Sequence, residues 1–334
     1  MKSARPAGSG EEALIAEYFR PLATHPGALG LIDDAALLSP PDGYDLVLTK
    51  DAVVGGVHFF VDDPPEAIAR KSLRVNLSDL AAKGAAPAGF LLALALPETV
   101  SPEWLGAFAK ALGEDADAYA CPLLGGDTVR SPGPLMISIT AFGTLPRGTM
   151  VHRRGAEVGD HVFVTGTIGD AALGLRLRKE GHSSQAWQLE ESAREHLHSR
   201  YLVPQPRNAL AQAVRTDASA AMDVSDGLAG DLQKLCDASG VAAQIDVASV
   251  PLSPAARAVL HADPAAIDTI LTGGDDYEIL CTVAPERSAE FSRAAGIAGV
   301  PVSEIGRMVA GQGTAFIALD GRPLTFARAS FSHF

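Results

Sequence analysis

The stretch HVFVTGTIGDAALGLRLRK, residues 161–179, decides the fold class. Residues 161–165 form a short apolar run stopped by Gly166, the pattern of a buried strand. Gly166 to Gly169 make a turn, and a helix follows from Asp170 to Lys179. Working outward, residues 45–49 read as a strand that opens into a loop at Lys50-Asp51. Residues 64–83 read as a helix with Asn76 and Asp79 three apart on one face. The run 90–96 is a buried strand stopped by Pro97, too short for a membrane span of ~20 residues. Ser101-Pro102-Glu103 is a helix start, with a capping hydroxyl, a first-turn proline and an early acid. Leu135, Ile137, Ile139 and Ala141 alternate with Met136, Ser138 and Thr140, which predicts a half-buried strand. Leu14, Ile15, Tyr18, Phe19 and Leu22 share one helical face. Val203-Pro204-Gln205-Pro206 is a loop.

Strands and helices mix without strict βαβ alternation, so the expected fold is α+β, a mixed α/β arrangement. The 334 residues suit two domains. The break at residues 143–148 predicts the junction: a flexible N-terminus at 1–10, one domain at 11–148 and a second at 149–334.

The chain has 27 Lys and Arg against 40 Asp and Glu, a net charge of −13 that repels nucleic acid. Its longest basic cluster, His152-Arg153-Arg154, is too short to follow a phosphate backbone. Cys121, Cys236 and Cys281 are widely spaced and form no CxxC pair, so neither a disulfide framework nor a zinc site is expected. No signal peptide opens the sequence, and the expected setting is cytoplasmic, with no nucleic-acid or membrane partner.

GxxxxGK[ST] is missing, as are a GxGxxG after a strand and the protein-kinase motifs. Gly166–Asp170 lies between strand and helix, a tight turn that also suits a phosphate. Acids beside glycine recur instead, in six places: Asp33-Asp34 after Gly30, Asp51 before Gly55-Gly56, Asp79, Gly125-Gly126-Asp127, Asp223 to Gly227, and Gly273 to Glu278. One such loop is ordinary turn chemistry. Six, spread over both halves, are what a site with several magnesium ions and phosphates needs, since Mg²⁺ takes one or two carboxylates plus phosphate oxygens and water. The expected chemistry is phosphoryl transfer from a nucleotide to a small molecule.

Eight segments carry a resemblance: DDAALL (33–38), GGVHF (55–59), VNLSDLAAKGA (75–85), LLGGDT (123–128), HRRGAEVGD (152–160), VTGTIGDAALGL (164–175), DVSDGL (223–228) and GGDDYE (273–278). In this order and spacing, from about residue 11 onward, the chain resembles the thiamine-monophosphate kinases of the aminoimidazole ribonucleotide synthetase superfamily. The resemblance implies a two-domain synthetase-like fold that dimerises through the N-terminal sheet, with Mg²⁺ as cofactor and ATP and thiamine monophosphate as partners. It implies magnesium ligands at Asp34, Thr49, Asp51, Asp79, Asp127, Asp223 and Asp226. ATP contacts follow at Gly126, Asp127, Arg153 and Ser225, and substrate contacts at His58, Asp275 and Phe331. No residue is assigned as acid or base, because the attacking phosphate oxygen is already ionised with a second pKa of about 6.

Read as residues alone, His58 also suits a satisfied loop histidine, Arg153 a surface ion pair, and Phe331 core packing. Four positions depart from the family's pattern. Ile32 and Lys50 stand where glycine and threonine are usual, Asp275 replaces a glutamate, and Phe331 a tryptophan or tyrosine. An ammonium cannot ligate Mg²⁺, so Lys50 implies that one metal position is altered or missing. Two rivals stand beside this reading: another synthetase of the superfamily, and a nucleotide-binding regulatory protein without turnover. Selenophosphate synthetases place a reactive Cys or selenocysteine near the N-terminus, and here the first cysteine is Cys121.

Overall fold

The computed structural model describes residues 10–180, 187–326, 328 and 330. The chain divides into two compact units, Met1–Leu77 with Pro87–Arg147, and Ser78–Ala86 with Gly148–Phe334. No helix among the described residues is long and apolar enough to cross a membrane. The expected flexible segment 1–10 lies, apart from Gly10, outside the described residues.

In the first unit, β1 (Tyr44–Val54), β2 (Ala86–Leu96), β3 (Leu123–Arg130) and β4 (Met136–Pro146) form one sheet in the order β1-β4-β2-β3. β1 and β4 are antiparallel and β2 and β3 parallel, so the sheet is mixed. Its inward face buries Val47, Val53, Ile137, Ile139, Ala141 and Leu145. The other face leaves Leu48 (59%), Leu91 (36%) and Met136 (38%) exposed. The helices are α1 (Gly10–Leu14), α2 (Pro65–Ala82) and α3 (Pro102–Ala118). α1 runs on through a π turn to Phe19, which keeps the predicted apolar face. The Ser101 hydroxyl caps α3 by accepting the Trp104 N–H at 3.2 Å. Arg74 grips Asp115 with two bonds, at 2.6 and 2.9 Å, and so ties α2 to α3.

Three local expectations are corrected here. β1 does not open into a loop at Lys50-Asp51, because Lys50 pairs with Thr140 and Asp51 with Ile139. Gly125-Gly126-Asp127 is not a loop either but the middle of β3, with Gly126 beside Leu92. Residues 143–146 belong to β4, where Gly143 pairs with Val47 and Leu145 is buried. In each case a distant strand supplies the backbone partners, which outweighs the weak strand preference of Gly, Lys and Asp.

The second unit holds β5 (His161–Thr165), β6 (Ala218–Val224), β7 (Ala242–Asp246), β8 (Glu278–Val283), β9 (Val302–Val309) and β10 (Thr314–Ile317). They form a mixed sheet ordered β10-β7-β9-β5-β8-β6, parallel at β10–β7 and antiparallel at the other recorded pairs. Its helices are α4 (Asp170–Glu180), α5 (Glu191–Leu202), α6 (Ala211–Asp217), α7 (Leu228–Ser239), α8 (Pro254–Ala262), α9 (Ala266–Thr272) and α10 (Ser288–Ile297).

Both faces of this sheet are covered, which explains why its strands read as continuous apolar runs. Val162, Val164, Met222 and Leu280 pack on one side with Leu173, Leu228 and Ile270. Phe163, Ala221, Ile279 and Cys281 pack on the other with Phe291 and Ala295. The Phe163 and Phe291 rings meet edge to face, 5.4 Å between centroids. Each such fully buried side chain is worth about 1.5–3 kcal/mol. All three cysteines are free and buried.

Candidate functional site

The N-terminal unit has an open pocket of roughly 840 Å³ on the sheet face opposite its core. Asp33, Asp34, Lys50, Gly126, Asp127, Ser138 and Thr140 line its polar side, and Phe19, Leu91 and Phe142 its apolar side. Asp34 comes from the segment after Leu31, and Asp127 from β3. Ile32 takes an ordinary φ of −116°, so the missing glycine does not distort that position. The left-handed conformations fall instead on Leu29 (φ 51°), Gly30 (φ 65°) and Leu31 (φ 53°). The Lys50 ammonium donates to the Ser138 hydroxyl, inside the same pocket as the two candidate acids.

Thr49 and Asp51 flank Lys50 on a regular strand, so the pleat sends them to the opposite face. There the Asp51 N–H donates to the Asn76 side chain at 3.1 Å. The predicted ligands of β1 are therefore not gathered into the pocket that holds Asp34 and Asp127. His58 lies in the turn after β1. Its Nδ1 accepts the Val54 N–H at 3.1 Å, and its carbonyl accepts from the Lys71 ammonium at 3.0 Å. With Nδ1 as acceptor, the neutral ring carries its proton on Nε2. Its Nδ1 is thus engaged by the turn that carries it.

In the C-terminal unit the candidates gather around Asp223, at the end of β6. Its Oδ2 accepts the Ser78 hydroxyl at 2.9 Å, and the next residue, Asp79, is half-buried. Lys83 anchors the same place by donating to the Ala221 carbonyl at 2.6 Å. Burial, and after it the Arg153 guanidinium, pulls the Lys83 ammonium below the ordinary lysine value, while Asp223 and Asp79 work the other way. A cation coupled to two candidate acids was missed in the sequence, although Lys83 stands in the motif NLSDLAAKGA. Arg153 is exposed.

Two loops build the rest. Residues 223–227 and 273–278 lie backbone to backbone, with the Asp275 N–H donating to Ser225 O at 2.9 Å and the Tyr277 N–H to Val224 O at 2.8 Å. Glycine is required where they touch. A Cβ on Gly274 would collide with the Ser225 carbonyl, and one on Gly227, at φ 109°, with Thr272. Asp275 and Tyr277 take left-handed φ values of 77° and 52°, a cost of about 1–3 kcal/mol each that the surrounding structure must outweigh.

The acids of GGDDYE divide by environment. Asp275 is half-buried. Asp276 is sealed in and accepts the Gly169 N–H at 2.7 Å and the Ala171 N–H at 3.4 Å. It caps α4, so the glycine turn at residues 166–170 is filled by the chain's own carboxyl rather than a phosphate. Burial pushes this carboxyl well above the usual carboxylate range, against the Gly169 bond. Glu278 is equally enclosed, held by Arg200 at 2.8 Å, by Arg207 at 2.6 Å and by the Thr165 hydroxyl at 2.6 Å. The second loop also has a hidden support. Asp231, fully buried in α7, accepts the N–H groups of Ser225 and Asp226 at 3.0 and 2.9 Å. Burial lifts the Asp231 carboxyl, and Lys234 opposes that shift. Lys234 itself is lowered by burial, but its bonds with Asp226 and Asp231 outweigh that and raise it.

Among the described residues no group of three or more His, Cys, Asp or Glu forms a closed metal cage. Phe331 lies outside the described residues.

Comparison with known proteins returns one family over both units. Residues 32–145 match the AIR synthase related protein N-terminal domain, and residues 157–318 its C-terminal domain. The chain is 44% identical over 323 residues to a thiamine-monophosphate kinase of Caulobacter vibrioides, covering 96% of this chain and 89% of that one. With the Escherichia coli K12 thiamine-monophosphate kinase it shares 40% over 329 residues, 97% of this chain and 98% of the other. Among solved structures, the thiamine-monophosphate kinase of Stenotrophomonas maltophilia superposes with a TM-score of 0.81 at 42% identity, over 91% of this chain and 94% of that one. AaThiL complexed with AMPPCP and TMP superposes at 0.76 and 31%, over 92% and 97%. The hydrogenase maturation protein HypE of Escherichia coli, at 22% identity and a TM-score of 0.77 over 94% and 96%, shares the fold alone.

Proposed function

The chain belongs to the thiamine-monophosphate kinases of the AIR synthase-related family, and from that membership we propose that it moves the γ-phosphoryl group of ATP onto thiamine monophosphate, giving thiamine diphosphate and ADP. The observation that carries this is the identity of 40–44% over almost the full length of two curated kinases. A related structure, AaThiL, was complexed with AMPPCP and TMP.

The residues fit magnesium that arrives with a nucleotide. Their donors are oxygens, and Asp34 and Asp127 share a pocket open to a ligand. In the C-terminal unit, Asp223 offers a further carboxylate, with Asp79 and Lys83 close enough to interact. Magnesium takes one or two carboxylates and fills its shell with phosphate and water. By the resemblance, Asp34, Thr49, Asp51, Asp79, Asp127 and Asp223 would be shared among several such ions. Asp226, the seventh residue the resemblance implies, faces Lys234. Bound magnesium supplies neutralisation of the phosphate charge.

The chain's own residues do the remaining work. Arg153 presents a planar fork to phosphate, and Gly126 and Ser225 bring backbone close to the nucleotide. His58 donates from Nε2 to the phosphate ester, its ring fixed by the Val54 N–H. By the resemblance, Asp275 and Phe331 would contact the thiamine monophosphate. The acceptor oxygen is ionised near neutrality, so the protein's task is in-line positioning and charge balance rather than proton removal. Lys50 lines the same pocket as Asp34 and Asp127 and would bring a fixed positive charge into it, altering or replacing one of the family's metal positions. The resemblance implies that two copies pair through the first sheet, whose outer face also leaves Leu48 and Met136 exposed. The reaction belongs in the cytoplasm, where ATP is supplied.

The test is a coupled assay of ADP release with ATP, Mg²⁺ and thiamine monophosphate, with thiamine diphosphate confirmed by mass. Turnover that needs both the ester and Mg²⁺ supports the reading. ATP binding without turnover removes it in favour of a regulatory protein.

A further inference from the structure

Asp226 already faces a cation that belongs to the chain. Lys234, eight residues further on in α7, places its ammonium 2.6 Å from Asp226 Oδ2 and 2.8 Å from Asp231 Oδ1. A lone surface pair of this kind is weak, because a long side chain loses entropy to hold it. This one is different. The Asp231 side chain is fully buried, and its second oxygen accepts the N–H groups of Ser225 and Asp226. One carboxylate therefore fixes both the loop backbone that carries Asp226 and the ammonium that meets it. The Lys234 and Asp226 side chains remain 38% and 39% exposed, so the pair is open to solvent.

Magnesium would need to approach Asp226 to about 2.1 Å. An ammonium 2.6 Å from one oxygen of that carboxylate competes for it, and the two cations repel. We propose that Lys234 is a tethered cation that takes the place of a metal ion at Asp226, so that this chain assembles its nucleotide site with one divalent ion fewer than its acids would allow. The inference rests on the nucleotide and magnesium reading above and deepens it. Asp34, Asp79, Asp127 and Asp223 remain ligands that recruit ions, while Asp226 is balanced from within.

Metal counting tests this apart from activity. The full chain, saturated with AMPPCP, is titrated with Mn²⁺, and the free ion is read by electron paramagnetic resonance. Lys234→Met is expected to bind one Mn²⁺ more per chain than the wild type, and Lys234→Arg the wild-type number. Thermal melts establish that the variants are folded, and Lys234→Gln replaces the Met variant if that one does not fold. Asp226→Asn gives an independent reading. The count stays at the wild-type value if Lys234 holds that position, and falls by one if Asp226 is a ligand. Equal counts in wild type and Lys234→Met, or a fall in Asp226→Asn, overturn the tethered cation while leaving the kinase reading intact. A wild type that binds neither AMPPCP nor Mn²⁺ overturns both.

Discussion

The Tyr277 N–H reaches the Val224 carbonyl at 2.8 Å, and Tyr277 takes a left-handed φ of 52° where it does so. Two loops whose bonded residues are 50 or more apart in the chain, Ser225 with Asp275 and Val224 with Tyr277, are joined backbone to backbone there, and the fit depends on glycine. Gly227→Ala places a methyl at φ 109° and into Thr272. The expected loss is at least about 1–3 kcal/mol, the range for a strained backbone position. Urea melts check it, and an unchanged midpoint would mean that the loops separate without cost.

The buried Glu278 needs its arginines. Arg207→Met leaves that carboxylate short of one of its two guanidinium partners. Removing one partner of a buried pair costs about 3–5 kcal/mol. Adding Glu278→Gln to the Arg207→Met chain is expected to restore part of the loss, since the unbalanced charge goes too. A double variant no more stable than Arg207→Met alone would argue that packing, not charge, sets the effect.

Asp127→Asn keeps the shape of the side chain but removes its charge from the pocket that Asp34 and Lys50 also line. Turnover is expected to vanish while the unfolding free energy stays within about 0.5 kcal/mol of wild type, as for an exposed residue. Normal ADP release in this variant would take Asp127 out of the nucleotide site.

His58→Ala removes a ring whose Nδ1 is engaged by Val54 and whose Nε2 is a donor. The KM for thiamine monophosphate is expected to rise by about tenfold, the cost of one charge-assisted hydrogen bond of about 1.5 kcal/mol. ATP affinity, read by titration of AMPPCP, should change little. Equal losses for both ligands would assign His58 to the structure of the turn.

The cysteines should be inert in the native state. Burial pushes the Cys121 and Cys236 thiols up to about 12 and raises Cys281 as well, so thiolate is scarce at pH 8. A disulfide reagent is expected to label none of the three in the folded chain and all three in urea. Rapid native labelling would reveal local opening around α3, α7 or β8.

Much of the fold is legible along the chain. β5 was found at its observed bounds because a glycine stops its apolar run, and α3 because Ser101 caps it. What escaped was strand extension through polar or glycine-rich residues. Asp51 is held by Ile139, and Gly126 lies beside Leu92, partners that no local window contains. The site divides in the same way. The acids beside glycine stood out, but nothing nearby separates Asp275 from Asp276, whose bond to Gly169 spans 107 residues. Asp231 and Lys234 did have a local signal. They stand three apart on one helical turn, directly after DVSDGL.

The enclosure of Asp276 and Glu278 also bears on how variants of this chain would behave in a living cell. Both lie in the motif most easily taken for chemistry, yet their partners are a helix end and two arginines. Growth without supplied thiamine would suffer from a change at either residue because fewer molecules survive folding, and a lower temperature would restore much of it. A change at Asp275, if it meets the substrate, would leave protein abundance alone and fail equally in the cold. A selection run at two temperatures would therefore sort three neighbouring acids of one motif into different classes.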